Sequence, residues 1–245
     1  MRKWGKDRLP SKLVEIFRGT DLFDINKSVK EAKDRLNKES KQKRWGNYEV
    51  LFNSQLVLAK ERGCPEQILE EIRDRKRNVL ARAVEMDIKG ENIPFLPIIK
   101  SSCLGYSGLM AMVRNGDKQG FINLPNLVAI VDLVLAPEGV FSYHIYDVEN
   151  GKDNLGKSPQ YFPQDFGTGM EAGSRLALIV AEVISLCVFT DVLSWRNVWA
   201  AASRYESSYG IPGVSLRGDI GRPSLTWTGI SHMDGGWGTP SCGSR

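Results

Sequence analysis

The sequence has little of what metal sites, disulfide scaffolds and membrane spans are made of. Its four cysteines form no CxxC pair and it has two histidines, so no local metal-ligand motif is present. No apolar leader segment follows the charged first residues, so we expect a cytoplasmic protein with reduced thiols. The longest apolar run, residues 176–189, contains Glu182 and is too short to cross a bilayer. We therefore expect a protein without a membrane span, bound metal or cofactor.

The composition is that of an ordinary globular protein. The chain has 245 residues, of which 42% are hydrophobic and 25% are charged, and this length can bury a substantial core. Collagen-like, disordered and disulfide-scaffold classes are thereby excluded. Residues 1–92 carry 22 Lys and Arg against 16 Asp and Glu, whereas residues 93–245 carry 11 against 13. A basic front half can bind nucleic acid, although a solvated helix surface gives the same pattern.

Residues 1–92 have the spacing of helices. Ser28 and Glu31 form a capping-box pattern that predicts a helix start, and Trp45-Gly46-Asn47 predicts its end. Apolar residues at spacings of three and four predict a further helix over residues 65–88. We therefore predict a basic helical region over residues 1–92.

Residues 93–245 have a mixed pattern. Strands are expected over residues 95–99, 140–148 and 225–230, and the apolar run 107–114 ends at a tight turn, Asn115-Gly116-Asp117, with a returning strand after it. Residues 174–190 predict a helix that is apolar on nearly every side and is therefore buried. Residues 191–205 predict one or two short helices. The fold class expected is α+β, with a mixed or antiparallel sheet around one buried central helix.

Several short motifs of the C-terminal part occur in a specific order. They are Tyr146-Asp147-Val148-Glu149-Asn150-Gly151, Glu182-Val183-Ile184-Ser185-Leu186, Asp191-Val192-Leu193, Ala202-Ser203-Arg204-Tyr205, Ile211-Pro212-Gly213-Val214-Ser215-Leu216, Pro223-Ser224-Leu225-Thr226-Trp227 and Trp237-Gly238-Thr239-Pro240-Ser241-Cys242. In this order they resemble an uncharacterised bacterial family, a domain of unknown function, over roughly residues 93–245. The resemblance implies a bacterial protein and supplies no chemistry.

A phosphate-binding pattern occurs in residues 151–158. Gly151, Gly156, Lys157 and Ser158 fit G-x-x-x-x-G-K-[ST] letter for letter after a strand-like run. A phosphate loop has to open a helix, whereas Pro159 follows here and disfavours helical backbone at the residue before it. A plain surface turn is the favoured interpretation.

Two thiol sites are conceivable from residue types. Cys242 follows His232 in a Gly-rich tail, and Cys103 with His144 is an alternative pair. A thiol nucleophile needs a thiolate, a base and an orienting group, which the fold must bring together. A small buried residue is the simpler interpretation of Cys242.

Glu182 is unusual because it lies within an apolar run. A buried carboxylate has to be paired, hydrogen-bonded or protonated. Arg175 lies two helical turns away, and Arg204 could approach in space. A structural ion pair is favoured over a functional acid.

A ligand pocket is also conceivable in the last quarter of the chain. Ser203 and Arg204 could bind an anion, and Trp227 and Trp237 could line a pocket. Aromatic residues of a core give the same pattern.

Three function classes follow. The first is a binding protein without catalysis, for a small ligand or a protein partner. The second is an enzyme that uses Glu182 with Arg204, or Cys242 with His232. The third is a nucleic-acid-associated protein that uses basic residues 27–44 and 73–82.

Overall fold

The computed structural model describes residues 22–88, 90–124, 130–156, 175–190, 192–194, 197–205, 210–217, 221–229 and 236–245. Helices precede a strand-rich part, and the α+β class is confirmed. The contacts divide the chain into two units, Met1–Gly46 and Asn47–Arg245. Within the described residues, no helix combines the length and the apolar character that crossing a membrane requires.

The described α-helices occupy three stretches of the chain, with β1 between the first and the second. They are α1 (Leu22–Glu61), α2 (Glu66–Asp74), α3 (Lys76–Glu85), α4 (Ser101–Met112) and α5 (Val180–Phe189). The helix break predicted at Trp45-Gly46-Asn47 is wrong, because α1 runs through Gly46. One interior glycine costs only about 1 kcal/mol relative to alanine, which a long helix tolerates. The helix predicted over residues 65–88 is divided at Arg75 into α2 and α3.

The strands are mostly short. They are β1 (Ile93–Ile99), β2 (Arg114–Asn115), β3 (Lys118–Gln119), β4 (Phe121–Ile122), β5 (Ile130–Asp132), β6 (Ser142–Val148), β7 (Leu176–Ala177), β8 (Asn197–Trp199), β9 (Ser203–Tyr205), β10 (Gly210–Arg217), β11 (Arg222–Gly229), β12 (Trp237–Gly238) and β13 (Ser241–Cys242). The largest sheet has the order β12-β8-β10-β11-β4, and β9 pairs with β10 and with β5. Its β11–β4 and β12–β8 pairs are parallel and the others antiparallel. β1 and β6 form a separate antiparallel ribbon.

The hairpin predicted around Asn115-Gly116-Asp117 is present, with Arg114 paired to Gln119. It is shorter than expected, because the apolar residues before it continue α4. The short helices expected over residues 191–205 are wrong in their larger part: strands β8 and β9 form there, with a 3-10 turn at Val192–Ser194 before them.

Helix α5 lies at the centre of the core. All ten of its residues are buried, as its apolar pattern predicts. It contacts α4, strand β1 of the ribbon and strand β10 of the large sheet. It begins only at Val180, because β7 occupies the start of the predicted helix. Polar residues lie at both ends of this helix: Glu182 is in its first turn and Thr190 follows its last residue.

Composition predicts a boundary at residue 92, whereas the contacts draw one at Gly46. The change at residue 92 marks the end of the helices. Helices α2 and α3 nevertheless contact the β1–β6 ribbon, and Ile68, Leu69 and Ile72 on α2 are buried. Residues 47–92 therefore belong to the same unit as the sheet.

Candidate functional site

Glu182 is fully buried in the first turn of α5 and its carboxylate is completely hydrogen-bonded. Arg245 donates to both oxygens, from Nε to Oε1 at 2.7 Å and from Nη2 to Oε2 at 2.9 Å. The Tyr143 hydroxyl donates to Oε1 at 2.8 Å, and the Ile179 amide donates to Oε2 at 2.9 Å. The partner of Glu182 is Arg245, and neither Arg175 nor Arg204 takes that place.

The charges of this network are matched internally. Burial alone would lower the pKa of Arg245, but its hydrogen bonds to Glu182 and the charge of that carboxylate raise the pKa above its ordinary value. Burial also raises the pKa of Tyr143. Since both carboxylate oxygens of Glu182 already accept hydrogen bonds from the chain, the network stabilises the start of α5 and leaves Glu182 no unoccupied oxygen for a ligand.

Ser203 has a structural position beside the same helix end. Its hydroxyl donates to Asp132 Oδ1 at 2.5 Å and accepts the Val180 amide at 3.1 Å. Burial raises the pKa of Asp132, against the lowering effect of the Ser203 hydrogen bond. Ser203 is fully buried, so it is not exposed to a small molecule.

Arg204 does not join Ser203 in an anion site. Its Nη1 donates to the backbone oxygens of Ala201 and Ser203, at 2.9 and 2.8 Å. Burial lowers the pKa of Arg204. Its Nη2 is buried and has no hydrogen-bond partner among the described residues. The guanidinium is thus used to hold the turn before β9.

Trp227 and Trp237 lie on opposite faces of the large sheet. Gly213 is paired with Trp199, and its neighbour Pro212 is paired with Trp227. Paired residues project to the same face, whereas neighbours along a strand alternate. Trp237 stacks on Trp199 with ring centroids 3.5 Å apart. The two tryptophans therefore do not line one pocket.

The thiol sites lack a reactive group in the described residues. Cys242 is fully buried, and burial raises its pKa to about 12, which disfavours a thiolate. His232 lies outside the described residues. His144 stacks on Phe52 with ring centroids 6.0 Å apart, and burial lowers its pKa to about 3. Burial also raises the pKa of Cys103. His144 is a core residue by this geometry.

The described part of the G-x-x-x-x-G-K-S pattern has its amides occupied. The Gly151 amide donates to Glu149 Oε1 at 2.7 Å, and the Gly156 amide donates to the Trp237 oxygen at 3.1 Å. A 3-10 turn, Lys152–Asn154, follows Gly151. Lys157 and Ser158 lie outside the described residues. The Glu149 carboxylate and the Trp237 carbonyl thus accept the hydrogen bonds that these two amides would donate to a phosphate.

Several cations of the basic helices are engaged within the chain. Arg75 bonds to Glu71 at 2.7 Å and Lys76 to Glu49 at 2.7 Å, while Arg82 lies 4.1 Å from the centroid of the Tyr146 ring. These contacts reduce the positive surface of residues 73–82. In residues 30–44 most side chains are exposed and carry both signs of charge. The nucleic-acid hypothesis stays a prediction.

One cavity among the described residues, the Arg175 cleft, has a volume of about 400 Å³ and is lined by Gly90, Glu91, Asn92, Glu149, Asn150, Lys152, Asp153 and Arg175. Its buried charges are already paired. Arg175 donates to Asp147 Oδ2 and to Ser241 Oγ, both at 2.7 Å, and Glu149 accepts the Gly151 amide. Paired charges of this kind leave little for a ligand to gain.

The second cavity, named the arginine cavity here, has a volume of about 390 Å³. Small-molecule sites start at about 300 Å³. It lies where the end of α1, the β2–β3 hairpin and the end of α5 meet. Its lining consists of two cations, two polar residues, a glycine and four apolar residues: Arg62, Arg114, Asn115, Thr190, Gly116, Leu58, Cys187, Phe189 and Leu193.

The two guanidinium groups of the arginine cavity are not neutralised by a carboxylate of its lining. Arg62 donates one hydrogen bond, from Nη1 to the Met112 oxygen at 3.4 Å. Burial lowers the pKa of Arg62, and the charge of Arg114 lowers it further, against smaller opposing effects of Cys187 and Glu61. The side chain of Arg114, whose backbone pairs with Gln119, makes no hydrogen bond or ion pair with any residue that the structure describes. Two positive charges thus repel each other across one cavity.

Sequence reasoning missed this pair. Arg114 stands between a long apolar run and a tight turn, which is a position that could have drawn attention. Arg62 carries no such signal, because it follows a charged helix end. Only the fold brings residues 62 and 114 to one cavity.

Among the described residues, no three His, Cys, Asp or Glu side chains are grouped as metal ligands would be. Comparisons of the chain with protein-family models, with curated proteins and with solved structures found no match. The resemblance to a bacterial family therefore stays a prediction, and a function has to be inferred from the geometry of the chain.

Proposed function

We propose that the chain is a cytoplasmic binding protein that takes up a small anionic ligand in the arginine cavity and does not catalyse a reaction. The observation that carries this proposal is that Arg62 and Arg114 line one cavity while none of its described lining residues is acidic. Holding two like charges together costs free energy in the empty protein. A bound anion removes that cost and gains charge-assisted hydrogen bonds.

The contrast with the other charged sites supports this choice. Glu182 and Arg245 form a pair, and Arg175 is paired with Asp147. In the arginine cavity the charges are left for an external partner. Binding sites combine apolar walls with a few polar groups that orient the ligand, and this cavity has four apolar residues beside two arginines and two polar residues.

The absence of catalysis is inferred from the chemistry of the lining. Arginine stays protonated at physiological pH and is a poor general acid or base. Cys187 is the lining residue that could act as a nucleophile, and it is buried at the end of α5 without a described histidine in the lining. These groups are suited to holding an anion and not to transferring a proton.

The experiment is a calorimetric titration of the full chain with inorganic phosphate, acetate and octanoate at low ionic strength. We expect saturable binding of at least one anion. Arg114→Gln should weaken it by about 1.5–3 kcal/mol, the range for a hydrogen bond to a charged group, which is roughly 10- to 150-fold.

Arg73→Gln is the matched control. Arg73 is exposed, lies outside the cavity and makes one surface ion pair with Glu66 at 3.4 Å, so the substitution removes the same charge elsewhere. Binding that is equally weakened by both substitutions would reflect net charge alone. Equal affinity of wild type and Arg114→Gln, or no binding of any of the three anions at millimolar concentration, would refute the proposal.

A further inference from the structure

We infer that the ligand of the arginine cavity is an amphipathic organic anion, with one negative charge at its head and an apolar body. The inference rests on the proposed function and names its ligand class. It follows from two properties of the lining: the charge that the cavity leaves uncompensated, and the apolar walls beside the arginines.

Two helices end at the arginine cavity, and their ends carry partial negative charge. Helix α1 ends at Glu61, one residue before Arg62, and α5 ends at Phe189, which is itself a lining residue. Each helix C-terminus carries about −0.5 elementary charge. Together with Glu61, whose charge attracts Arg62, they offset part of the two guanidinium charges. An anion of low charge, such as a single carboxylate, therefore balances the remainder.

The arginine cavity also has apolar walls. Leu58, Phe189 and Leu193 come from three different elements and face the same cavity with Cys187. An inorganic ion held at the arginines would leave these walls in contact with water. A ligand with an apolar body removes the cavity walls and its own apolar surface from water. Each methylene group buried in this way strengthens binding about four-fold.

The same lining disfavours a purely apolar ligand. A neutral hydrocarbon would enclose Arg62 and Arg114 with no partner for their charges, and burying an unpaired charge is unfavourable. Both parts of the ligand are needed: the head pairs with the guanidinium groups and the body covers the walls.

The test uses a series of linear carboxylates, from acetate through butyrate and hexanoate to octanoate, with inorganic phosphate and octan-1-ol as comparison ligands. Dissociation constants are measured by calorimetry on the full chain. We expect affinity to rise about four-fold with each added methylene group until the cavity is filled. Phosphate and octan-1-ol should bind at least ten-fold more weakly than octanoate.

A variant of the wall separates this effect from nonspecific binding. Leu58→Gln should flatten the dependence of affinity on chain length, because it replaces an apolar wall of the cavity by a polar one. Val57→Gln is the matched control, because Val57 is an exposed neighbour on the same helix and does not line the cavity. Leu193→Ala gives a second test of the wall if Leu58→Gln does not fold.

The outcomes distinguish the two proposals. If acetate and phosphate bind as tightly as octanoate, and Arg114→Gln abolishes this binding, the anion site stands and the amphipathic ligand is refuted. If octan-1-ol binds as tightly as octanoate, the charged head is not recognised and the inference is overturned. If no anion binds, the proposed function fails with it.

Discussion

Glu182 and Arg245 form a buried, bidentate ion pair although they lie 63 residues apart in sequence. Arg245 Nη2 also donates to the Ala177 oxygen at 2.7 Å. One guanidinium group thus joins residue 245 to β7 and to the first turn of α5. The pair explains how a carboxylate can lie in the middle of an apolar run.

Substitutions of this pair should be strongly destabilising. Glu182→Gln leaves the Arg245 charge buried without its counter-ion, and breaking a buried pair from one side costs about 3–5 kcal/mol. Arg204→Gln, at the arginine that sequence alone suggests as the partner, should cost less because Glu182 keeps its pair. Urea denaturation measures both. A larger loss of unfolding free energy in Arg204→Gln than in Glu182→Gln would contradict the assignment.

His144 should make stability dependent on pH. Burial, with a smaller effect of the Arg75 charge, lowers its pKa from 6.5 to about 3. Between these values the unfolded chain binds the proton more readily, so stability falls as the pH drops below about 6.5. At pH 5 this one group costs roughly 2 kcal/mol.

The matched variant for this prediction is His144→Phe, which keeps an aromatic ring beside Phe52 and Phe95. The unfolding free energy of wild type should fall more steeply between pH 7 and pH 5 than that of the variant. Parallel curves for the two proteins would show that His144 is not neutral and buried as described.

The thiols should differ in reactivity with Ellman's reagent. Cys64 and Cys242 are buried, and burial raises the pKa of each to about 12, whereas Cys103 is partly exposed. At pH 8 we expect Cys103 to react before these two, and Cys103→Ser to remove the fast phase. A fast phase that instead disappears in Cys242→Ser would revive a thiol enzyme with Cys242 as its nucleophile.

Arg114→Gln should not destabilise the protein without ligand. The substitution removes a charge that repels Arg62 and breaks no hydrogen bond or ion pair with a described residue. We expect an unchanged or raised melting temperature at low salt, with a smaller difference at high salt because salt screens the repulsion. A clear loss of stability would mean that Arg114 has a structural role. Residues kept for binding often lower stability in this way.

The sequence predicts those parts of the fold that depend on a local pattern of apolar residues or turn residues. The apolar residues of α5 indicate a buried helix, and the Asn115-Gly116-Asp117 turn indicates a hairpin; both are present. Strands β8 and β9 were not predicted because each has only three residues, and each pairs with a strand far away in sequence, β12 and β5 respectively. A pattern read along the chain carries no signal for such pairing.

The sites depend still more on tertiary contacts. The sequence of residues 151–158 fits the phosphate-loop pattern, whereas in the structure the Gly151 amide donates its hydrogen bond to the Glu149 carboxylate. The partner of Glu182 and the meeting of Arg62 with Arg114 are set by how helices and strands pack. Residue types could therefore flag Glu182 as unusual, but they could not name its partner or find the arginine cavity.

Binding of an anion by Arg62 and Arg114 can be followed on the two side chains themselves. In the protein labelled with ¹⁵N-arginine, the side-chain Nε–Hε signals of Arg62 and Arg114 are assigned through Arg62→Gln and Arg114→Gln and followed during titration with octanoate. We expect both signals to shift together and to saturate with one dissociation constant, while the Arg175 signal, already paired with Asp147, stays in place. Signals of Arg62 and Arg114 that do not move, while the protein binds octanoate elsewhere, would contradict the account.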